Sequence, residues 1–220
     1  MLFNFLELLA DHDPHDAAVN MGMDEVLLLR TQQPILRVYR WVRPAVTFGY
    51  FERWEPVCAA FPEREAIRRW TGGGVVPHGE DWTYSLIVPR GELFARVDVA
   101  ESYRCIHELL GEAMRDVGVE ASVTPEAAPK VSQACFENPA AYDLLSAGHK
   151  IAGAAQRRSR FGMLHQGSVQ GVCFPPDFAE RLASKMARSF ASRELAAEET
   201  AEAERLAQTK YATDAWNRRY

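Results

Sequence analysis

Apolar residues recur at helical spacing in several parts of the chain. From Asp98 to Gly118 they fall at intervals of three and four, which places one apolar face on a helix that Gly118 would end. The stretch NMGMDEVLLLR, from Asn20 to Arg30, has early acidic residues and a broad apolar face, which also predicts a helix. A short helix is predicted in EPVCAAFPE and a helix in PPDFAERLASKMARSF. The Ala- and Glu-rich stretch from Arg193 to Gln208 predicts an exposed helix.

Between these helices the chain is rich in β-branched and aromatic residues. PILRVYRW and PAVTFGYF predict two strands with a turn at Arg43-Pro44. Further strands are predicted in AIRRW, WTYSLIVP and FGMLHQGSVQGVCF, and AYDLLSAGHKIAGAAQRR reads as two strands around a tight turn. The sequence therefore predicts an α+β fold with a mixed, largely antiparallel β-sheet flanked by helices. Without repeats or a long polar linker, residues 1–220 are expected to form one domain.

Charge and cysteine content restrict the class of protein. The net charge of −5 argues against general nucleic-acid binding. No apolar run approaches the ~20 residues that a membrane span needs, and the N-terminus lacks a basic region and a cleavage site. The four cysteines are scattered and form no C-x-x-C pair, so neither a zinc site nor a disulfide framework is predicted. A cytoplasmic location and no membrane partner are expected.

Three consecutive glycines stand in RRWTGGGVVPHGEDWTYSLIVP, between a predicted strand and the next one. The segment lacks the Lys-Ser/Thr of a Walker loop, and Pro77 occupies the last glycine position of a dinucleotide-binding fingerprint. Two readings remain. Gly72, Gly73 and Gly74 form either an ordinary glycine-rich hairpin or a bare backbone floor against which a substrate lies.

A second set of candidate residues lies in CFENPAAYDLLSAGHKIAGAAQRR. Cys135 stands in a proline-flanked loop, and Lys150 begins a strand after a tight turn. Each alone has an ordinary explanation, because a cysteine is often a small buried apolar residue and a lysine beside a turn is often solvated. Together they could form a nucleophile site, since a nearby ammonium lowers the pKa of a thiol and thiolates attack thioesters. Cys105 and Cys173, on apolar segments, are expected to be buried and inert.

These two segments resemble the lipoate–protein ligase and octanoyltransferase family. RRWTGGGVVPHGEDWTYS is similar to its R-R-x-[TS]-G-G-x-x-V-x-H motif, and HKIAGAAQRRSRFGMLHQGSV to its K-[IV]-[AS]-G-x-A-Q…L-H-x-G motif. VNMGMDEVLL and PAVTFGYFE resemble the family's first helix and first strand pair. The resemblance implies the fold of biotin/lipoate protein ligase catalytic domains, a mixed sheet around a substrate tunnel. It also implies attachment of an octanoyl or lipoyl group to a lysine of a lipoyl domain.

The resemblance favours an octanoyltransferase over an ATP-dependent ligase. CFENPAAYDL is similar to the segment that carries the nucleophile of cysteine-dependent octanoyltransferases, and the H-D-x-G-N segment of ligases is missing after His78. Gly74 points the other way, because those transferases usually have arginine there. ATP and Mg²⁺ would be needed only by a ligase, so no cofactor is expected. A non-catalytic binding module and a biotin ligase rank lower, the second because its G-R-G-R-x-G-R-x-W loop is absent.

Site residues follow from the resemblance. Cys135 would hold the acyl group, Lys150 would polarise its carbonyl or stabilise the thiolate, and Gly72 to Gly74 would line the acyl tunnel. The remaining substrate-binding candidates are Arg69, Thr71, His78, Tyr84, Gly153, Ala155 and His165. The implied partners are acyl carrier protein and lipoyl-domain proteins, either glycine cleavage H protein or 2-oxoacid dehydrogenase E2. Because such partners are acidic, the run Arg157, Arg158 and Arg160 is a candidate docking patch.

Overall fold

A computed structural model describes residues 1–124 and 140–220, and within them eleven strands form two sheets. The strands are β1 (Phe3–Ala10), β2 (Ile35–Tyr39), β3 (Ala45–Phe48), β4 (Glu65–Arg68), β5 (Val75–His78), β6 (Trp82–Pro89), β7 (Ser122–Val123), β8 (Leu144–Ser146), β9 (His149–Ser159), β10 (Gly162–Val169) and β11 (Ala187–Ser192). The helices are α1 (Ala17–Arg30), α2 (Trp54–Ala60), α3 (Val99–Asp116), α4 (Phe178–Met186), α5 (Ala197–Leu206) and α6 (Asp214–Asn217), with a 3₁₀ turn at Leu93–Arg96 and a π-helical turn at Ala207–Tyr211.

The larger sheet has eight strands in the order β11-β1-β2-β6-β10-β9-β8-β7. Its pairings are antiparallel except for β11 with β1 and β1 with β2, which are parallel. The prediction of a mixed, largely antiparallel sheet flanked by helices is confirmed. Within residues 1–124 and 140–220, no helix is long and apolar enough to cross a membrane.

The two faces of the large sheet pack against different helices. Successive side chains of a strand point to opposite faces. In β6, Leu86 and Val88 accordingly join the core beneath α3 and α4, whereas Ile87 joins the core beneath α1. Each face therefore has its own buried apolar cluster, and β6 and β10 lie at the middle of both.

A second, three-stranded sheet has the order β4-β3-β5. β3 pairs in parallel with β4 and antiparallel with β5, so it lies between the two strands that flank the three glycines. Val46 and Phe48 of β3 pack with Val57 of α2 in a small core of their own. The glycine segment therefore does not close a hairpin. It carries the chain from one edge of this sheet, past the end of β3, to the other edge.

The two ends of the chain form structure that local patterns did not indicate. β1 and β11 pair with each other at the edge of the large sheet, and the expected helix over PPDFAERLASKMARSF ends at Met186. The C-terminal helix α5 is less exposed than expected, because it packs on α1. A Cβ atom added to Gly22 would lie 2.7 Å from the carbonyl oxygen of Ala203, so the two helices are in close backbone contact.

A fully buried guanidinium ties α1 to the large sheet. Arg37 of β2 donates to Asp11 at 2.8 Å and to Asp24 of α1 at 2.9 Å, and also to the side chain of Asn20. Burial by itself would lower the pKa of Arg37, but the two carboxylates outweigh it and raise that pKa. The ion cluster thus stays charged inside the protein, where each group depends on its partners.

We expect Arg37→Leu to lower the free energy of unfolding by about 3–5 kcal/mol, because it leaves two carboxylates buried without their cation. Urea denaturation of both proteins measures this difference. Arg43→Leu is the matched control, since Arg43 pairs with Asp16 and Glu65 at the surface and should leave the free energy of unfolding nearly unchanged. Equal losses in the two variants would contradict a special role for the buried cluster.

Candidate functional site

The three glycines pass so close to β3 that only a glycine fits opposite them. A Cβ atom added to Gly49 would lie 1.8 Å from the carbonyl oxygen of Gly73. The Gly49 amide donates to the Gly74 carbonyl at 3.2 Å, and Gly73 has a left-handed φ of 82°. The hairpin interpretation is wrong because β3 lies between β4 and β5, and Gly73 and Gly74 line a surface cleft.

The Arg69 side chain holds the glycine loop by hydrogen bonds to its backbone carbonyls. Its Nη2 donates to the carbonyls of Gly72 and Gly74 at 2.9 and 2.8 Å, and its Nη1 donates to Thr47 Oγ1 at 2.7 Å. Thr71 donates to Gln166 of β10 at 2.7 Å, which anchors the start of the loop to the large sheet. The loop is thus fixed by charge-assisted hydrogen bonds rather than by side-chain packing.

His78 lies in a buried hydrogen-bonded chain next to the loop. Its Nε2 is 2.8 Å from Thr47 Oγ1, and its Nδ1 is 2.7 Å from Asp81. Burial raises the pKa of Asp81, but the charge of His78 and hydrogen bonds from His78, Ser168 and the Gly79 amide outweigh it and bring that pKa to about 2. Among residues 1–124 and 140–220, no group of three or more His, Cys, Asp or Glu side chains could hold a metal ion.

A narrow cavity of about 30 Å³ lies between the two sheets. Its floor crosses the large sheet along one row of paired residues, Gly153, Ser168, Thr83 and Tyr39. Strands lie about 4.8 Å apart, so this row spans roughly 14 Å. Its other walls include predicted binding residues: Arg69, Gly73, His78 and Ala155. The lining of the cavity is mainly apolar.

Lys150 lies where this cavity meets a wider surface cleft. The cleft is lined by Lys150, Asp143, Tyr103 and Phe51, and it shares Gly73 and Ala154 with the cavity. The Lys150 ammonium is 2.7 Å from the Asp143 carboxylate, and both side chains are almost fully buried. A Cβ atom on Gly153 would come within 2.7 Å of the Lys150 nitrogen. The glycine therefore leaves the space that the lysine occupies.

Two predicted binding residues lie away from the cavity. Tyr84 and His165 are fully buried on the α3 face of the large sheet, and their side chains are 3.2 Å apart. Burial raises the pKa of Tyr84, and burial together with His107 holds that of His165 well below its usual value. The Tyr84 ring packs against Gly167, which lines the cavity from the other face. These two residues support the floor rather than form it.

One predicted site residue lies outside the described part of the chain, and two residues at the site were not predicted from the sequence. Cys135 lies between residues 124 and 140 and is outside the described residues. Asp143 and Thr47 were not predicted, although Asp143 stands in the quoted YDL segment. Thr47 carried no sequence signal, because its contacts with Arg69 and His78 depend on the pairing of β3 with β4 and β5.

The proposed basic patch does not form as one surface. Arg157 and Arg158 are adjacent on β9, so their side chains point to opposite faces. Arg157 stacks on Trp70 at 4.6 Å, whereas Arg158 donates to Ser102 of α3. Of the three arginines, Arg160 is the exposed one. A run of like charges on a strand is split between its two faces.

The two cysteines expected in the core are also placed differently. Cys173 is exposed, because the strand β10 ends at Val169 and the chain leaves the sheet before reaching it. Cys105 lies within α3 and is half-buried, and its thiol is 3.3 Å from the Glu101 carboxylate. Burial and the Glu101 carboxylate raise the pKa of the Cys105 thiol, which disfavours its thiolate.

Sequence comparisons find relatives over most of the chain. The chain is 33% identical to octanoyltransferase LipM of Oceanobacillus iheyensis over 72% of its length, and that match spans 62% of the relative. It is 33% identical to LipM of Staphylococcus aureus (82% of this chain, 74% of the relative). It is 32% identical to LipM of Kyrpidia tusciae (92% and 95%).

Solved structures show the same fold. The putative lipoate protein ligase Ta0514 of Thermoplasma acidophilum, solved with bound lipoic acid, superposes with a TM-score of 0.74 at 22% identity and full coverage of both chains. Lipoate-protein ligase A bound with ATP superposes with a TM-score of 0.73 at 20% identity, covering 99% of this chain and 98% of the other. The family model described as the lipoyl protein ligase A/B catalytic domain matches residues 16–196. The chain therefore belongs to the lipoyl protein ligase A/B catalytic domain family.

Proposed function

We propose that the chain is an octanoyltransferase of lipoate biosynthesis, which moves an octanoyl group to a lysine of a lipoyl domain. The observation that carries this proposal is the position of Lys150. Its buried ammonium lies where a narrow, mainly apolar cavity opens into a wide cleft. The apolar lining of the cavity matches an acyl chain, and the wider cleft leaves room for the carrier that delivers the acyl group and the lysine that receives it. The ammonium lies between them.

A transferase explains the comparisons better than the alternative, an ATP-dependent lipoate–protein ligase. The relatives at 32–33% identity are octanoyltransferases, whereas the solved ligases are 20–22% identical and share the fold. Transfer from a thioester needs no ATP, because the thioester already activates the acyl group. The 220 residues are proposed to act as one catalytic unit, in which β11 near the C-terminus pairs with β1 near the N-terminus.

The proposed chemistry is two successive acyl transfers through Cys135. The Cys135 thiolate attacks the donor thioester carbonyl, a new carbon–sulfur bond forms, and the donor thiolate leaves and takes up a proton. The acceptor lysine amine then attacks the enzyme thioester, an amide forms, the amine loses a proton and the Cys135 thiolate is restored. Each step passes through an oxyanion at the carbonyl oxygen, which a fixed positive charge stabilises.

Lys150 supplies that charge in the proposal, and Asp143 keeps its ammonium in place. The pair is nearly excluded from water, so its charge acts more strongly than an exposed one would. Asp143 is itself held by the Ala140 amide, which donates to its carboxylate at 2.6 Å. The ammonium is therefore oriented before substrate binds and needs no rearrangement during the reaction.

The acyl carrier protein and the lipoyl domain are proposed to approach over an aromatic and basic surface beside the cleft. We call it the mouth cluster: Tyr50, Phe51, Arg219 and Tyr220, with the buried Trp216 packed beneath Tyr50. Phe51 is 76% exposed and also lines the cleft, so the cluster is continuous with the site. Arg219 stacks on Tyr50 at 4.7 Å and is exposed, which suits an acidic partner. A structural analysis of the lipoylation system of Thermoplasma acidophilum describes a bi-partite lipoate protein ligase, which has this fold, and its E2 lipoyl domain.

Incubation with octanoyl-acyl carrier protein, without ATP, should add one octanoyl group to Cys135. A thioester can form only at a thiol that is accessible and ionised, and the proposal assigns that thiol to Cys135. Intact-mass measurement and peptide mapping locate the adduct. Cys173→Ser is the control, because Cys173 is exposed and would show nonspecific acylation. An adduct that persists in Cys135→Ser but disappears in Cys173→Ser would overturn the assignment.

Lys150→Ala should lower kcat for octanoyl transfer about 10²–10³-fold, the loss seen when one oriented oxyanion donor is removed. Gly153→Ala should approach the same loss, because its methyl group would occupy the space of the ammonium. Single-turnover assays with acylated enzyme measure both. Gly91→Ala is the matched control, since nothing lies within 4 Å of a Cβ atom there. Wild-type rates in Gly153→Ala would show that the lysine is not confined as proposed.

Arg219→Glu should slow acyl transfer from acyl carrier protein and flatten its dependence on salt, because a rim charge steers an acidic partner. Arg160→Glu, at another exposed arginine that stacks on an aromatic ring, should change neither. Initial rates at several ionic strengths measure the effect. Octanoyl-pantetheine, a small donor without a protein surface, should react equally with both variants. If the Arg219 variant loses activity with the small donor too, the residue does not act through docking.

A further inference from the structure

A buried histidine lies directly behind the Asp143–Lys150 pair. His107 of α3 is fully buried, and its Nδ1 is 2.5 Å from the carbonyl oxygen of Tyr142. A carbonyl oxygen only accepts hydrogen bonds, so Nδ1 carries the hydrogen and donates it. Tyr142 immediately precedes Asp143 in the chain. The histidine therefore contacts the backbone that carries the carboxylate to which Lys150 is bound.

That backbone needs to be held, because Tyr142 has an unfavourable conformation. Its φ of 71° lies in the left-handed region, which residues with a side chain avoid. Two hydrogen bonds fix it: its amide donates to the Thr124 carbonyl at 2.7 Å, and its carbonyl accepts from His107. Such a conformation persists only where surrounding contacts determine it, and it is frequent at functional sites.

The groups around His107 favour its neutral form. Burial lowers the pKa of His107 and Lys150 lowers it further, whereas the Tyr142 carbonyl and Asp143 raise it, and the net shift is downward. His165 of β10 lies across from it, with the two rings 5.5 Å apart, and Tyr103 of α3 is also in contact. The single hydrogen of a neutral imidazole is on Nδ1 when that atom donates. His107 is therefore the donor and the Tyr142 carbonyl the acceptor in this hydrogen bond.

We infer that His107 is a positioning residue for Lys150. Its hydrogen bond holds the left-handed Tyr142, the turn at Ala140–Asp143 then aims the Asp143 carboxylate, and the carboxylate aims the Lys150 ammonium. His107 does not line the cleft or the cavity, so it acts through the backbone and not on substrate. This inference rests on the proposed function of Lys150.

Three substitutions separate a positioning role from simple filling of the core. His107→Asn places its side-chain amide nitrogen where histidine has Nδ1, so it can still donate a hydrogen bond to the Tyr142 carbonyl. His107→Gln carries its donor one bond further out, near the position of Nε2, and His107→Leu has no donor. We expect the Gln and Leu variants to lose about 10–100-fold in kcat, as when a partner that orients an active group is removed. KM for the acyl donor should change less than about threefold, and His107→Asn should recover most of the rate.

A second readout does not depend on turnover. Trace acetylation of the folded protein, followed by peptide mapping, reports how accessible Lys150 is, with the more exposed Lys185 as internal reference. Lys150 should be protected in the wild type and in His107→Asn, and labelled several times faster in the Gln and Leu variants. If the Leu variant fails to fold, the Asn and Gln pair still decides the matter.

Equal rates and equal labelling in the Asn and Gln variants would overturn the inference, whether both are impaired or both are normal. Increased labelling in the Gln variant, with protection in the Asn variant, supports it even if the wild type proves to transfer no octanoyl group. In that case the proposed function fails while the structural role of His107 stands.

Discussion

A carboxylate without access to water connects the core of this protein to its site. Asp24 of α1 accepts hydrogen bonds from Arg37 of β2, Ser85 of β6 and Gln166 of β10. Gln166 in turn accepts from Thr71 at the start of the glycine loop. Because a buried charge is tolerated only when its partners are in place, this one residue requires helix, sheet and loop to assemble in a single arrangement.

The site itself uses two different ways of fixing groups. The glycine loop is held through its backbone by the Arg69 guanidinium, and Gly73 of this loop lines both the cavity and the cleft. Lys150 is held by an ion pair and by the missing side chain of Gly153. Both arrangements orient charged groups beside the cleft before any substrate binds, as the proposed stabilisation of an oxyanion by Lys150 requires.

Several features could be predicted from the sequence because they depend on residues that are close together in the chain. The periodicity from Asp98 to Gly118 predicted α3, and the run WTYSLIVP predicted β6, which the structure has at Trp82–Pro89. The family resemblance assigned the glycines and Lys150 to one site, and Gly73 and Lys150 do line one cleft. In each case, local spacing or a contiguous motif held the information.

The amino-acid sequence by itself determined the fold class, the family and the identity of Lys150 and the glycine loop as candidate site elements. Only the tertiary structure decided that β3 separates β4 from β5 and that Tyr84 and His165 lie on the face of the sheet opposite the cavity. The physical reason is the two-residue period of a strand. Which face of a strand meets the cavity depends on register with strands distant in sequence, and no local pattern specifies that register.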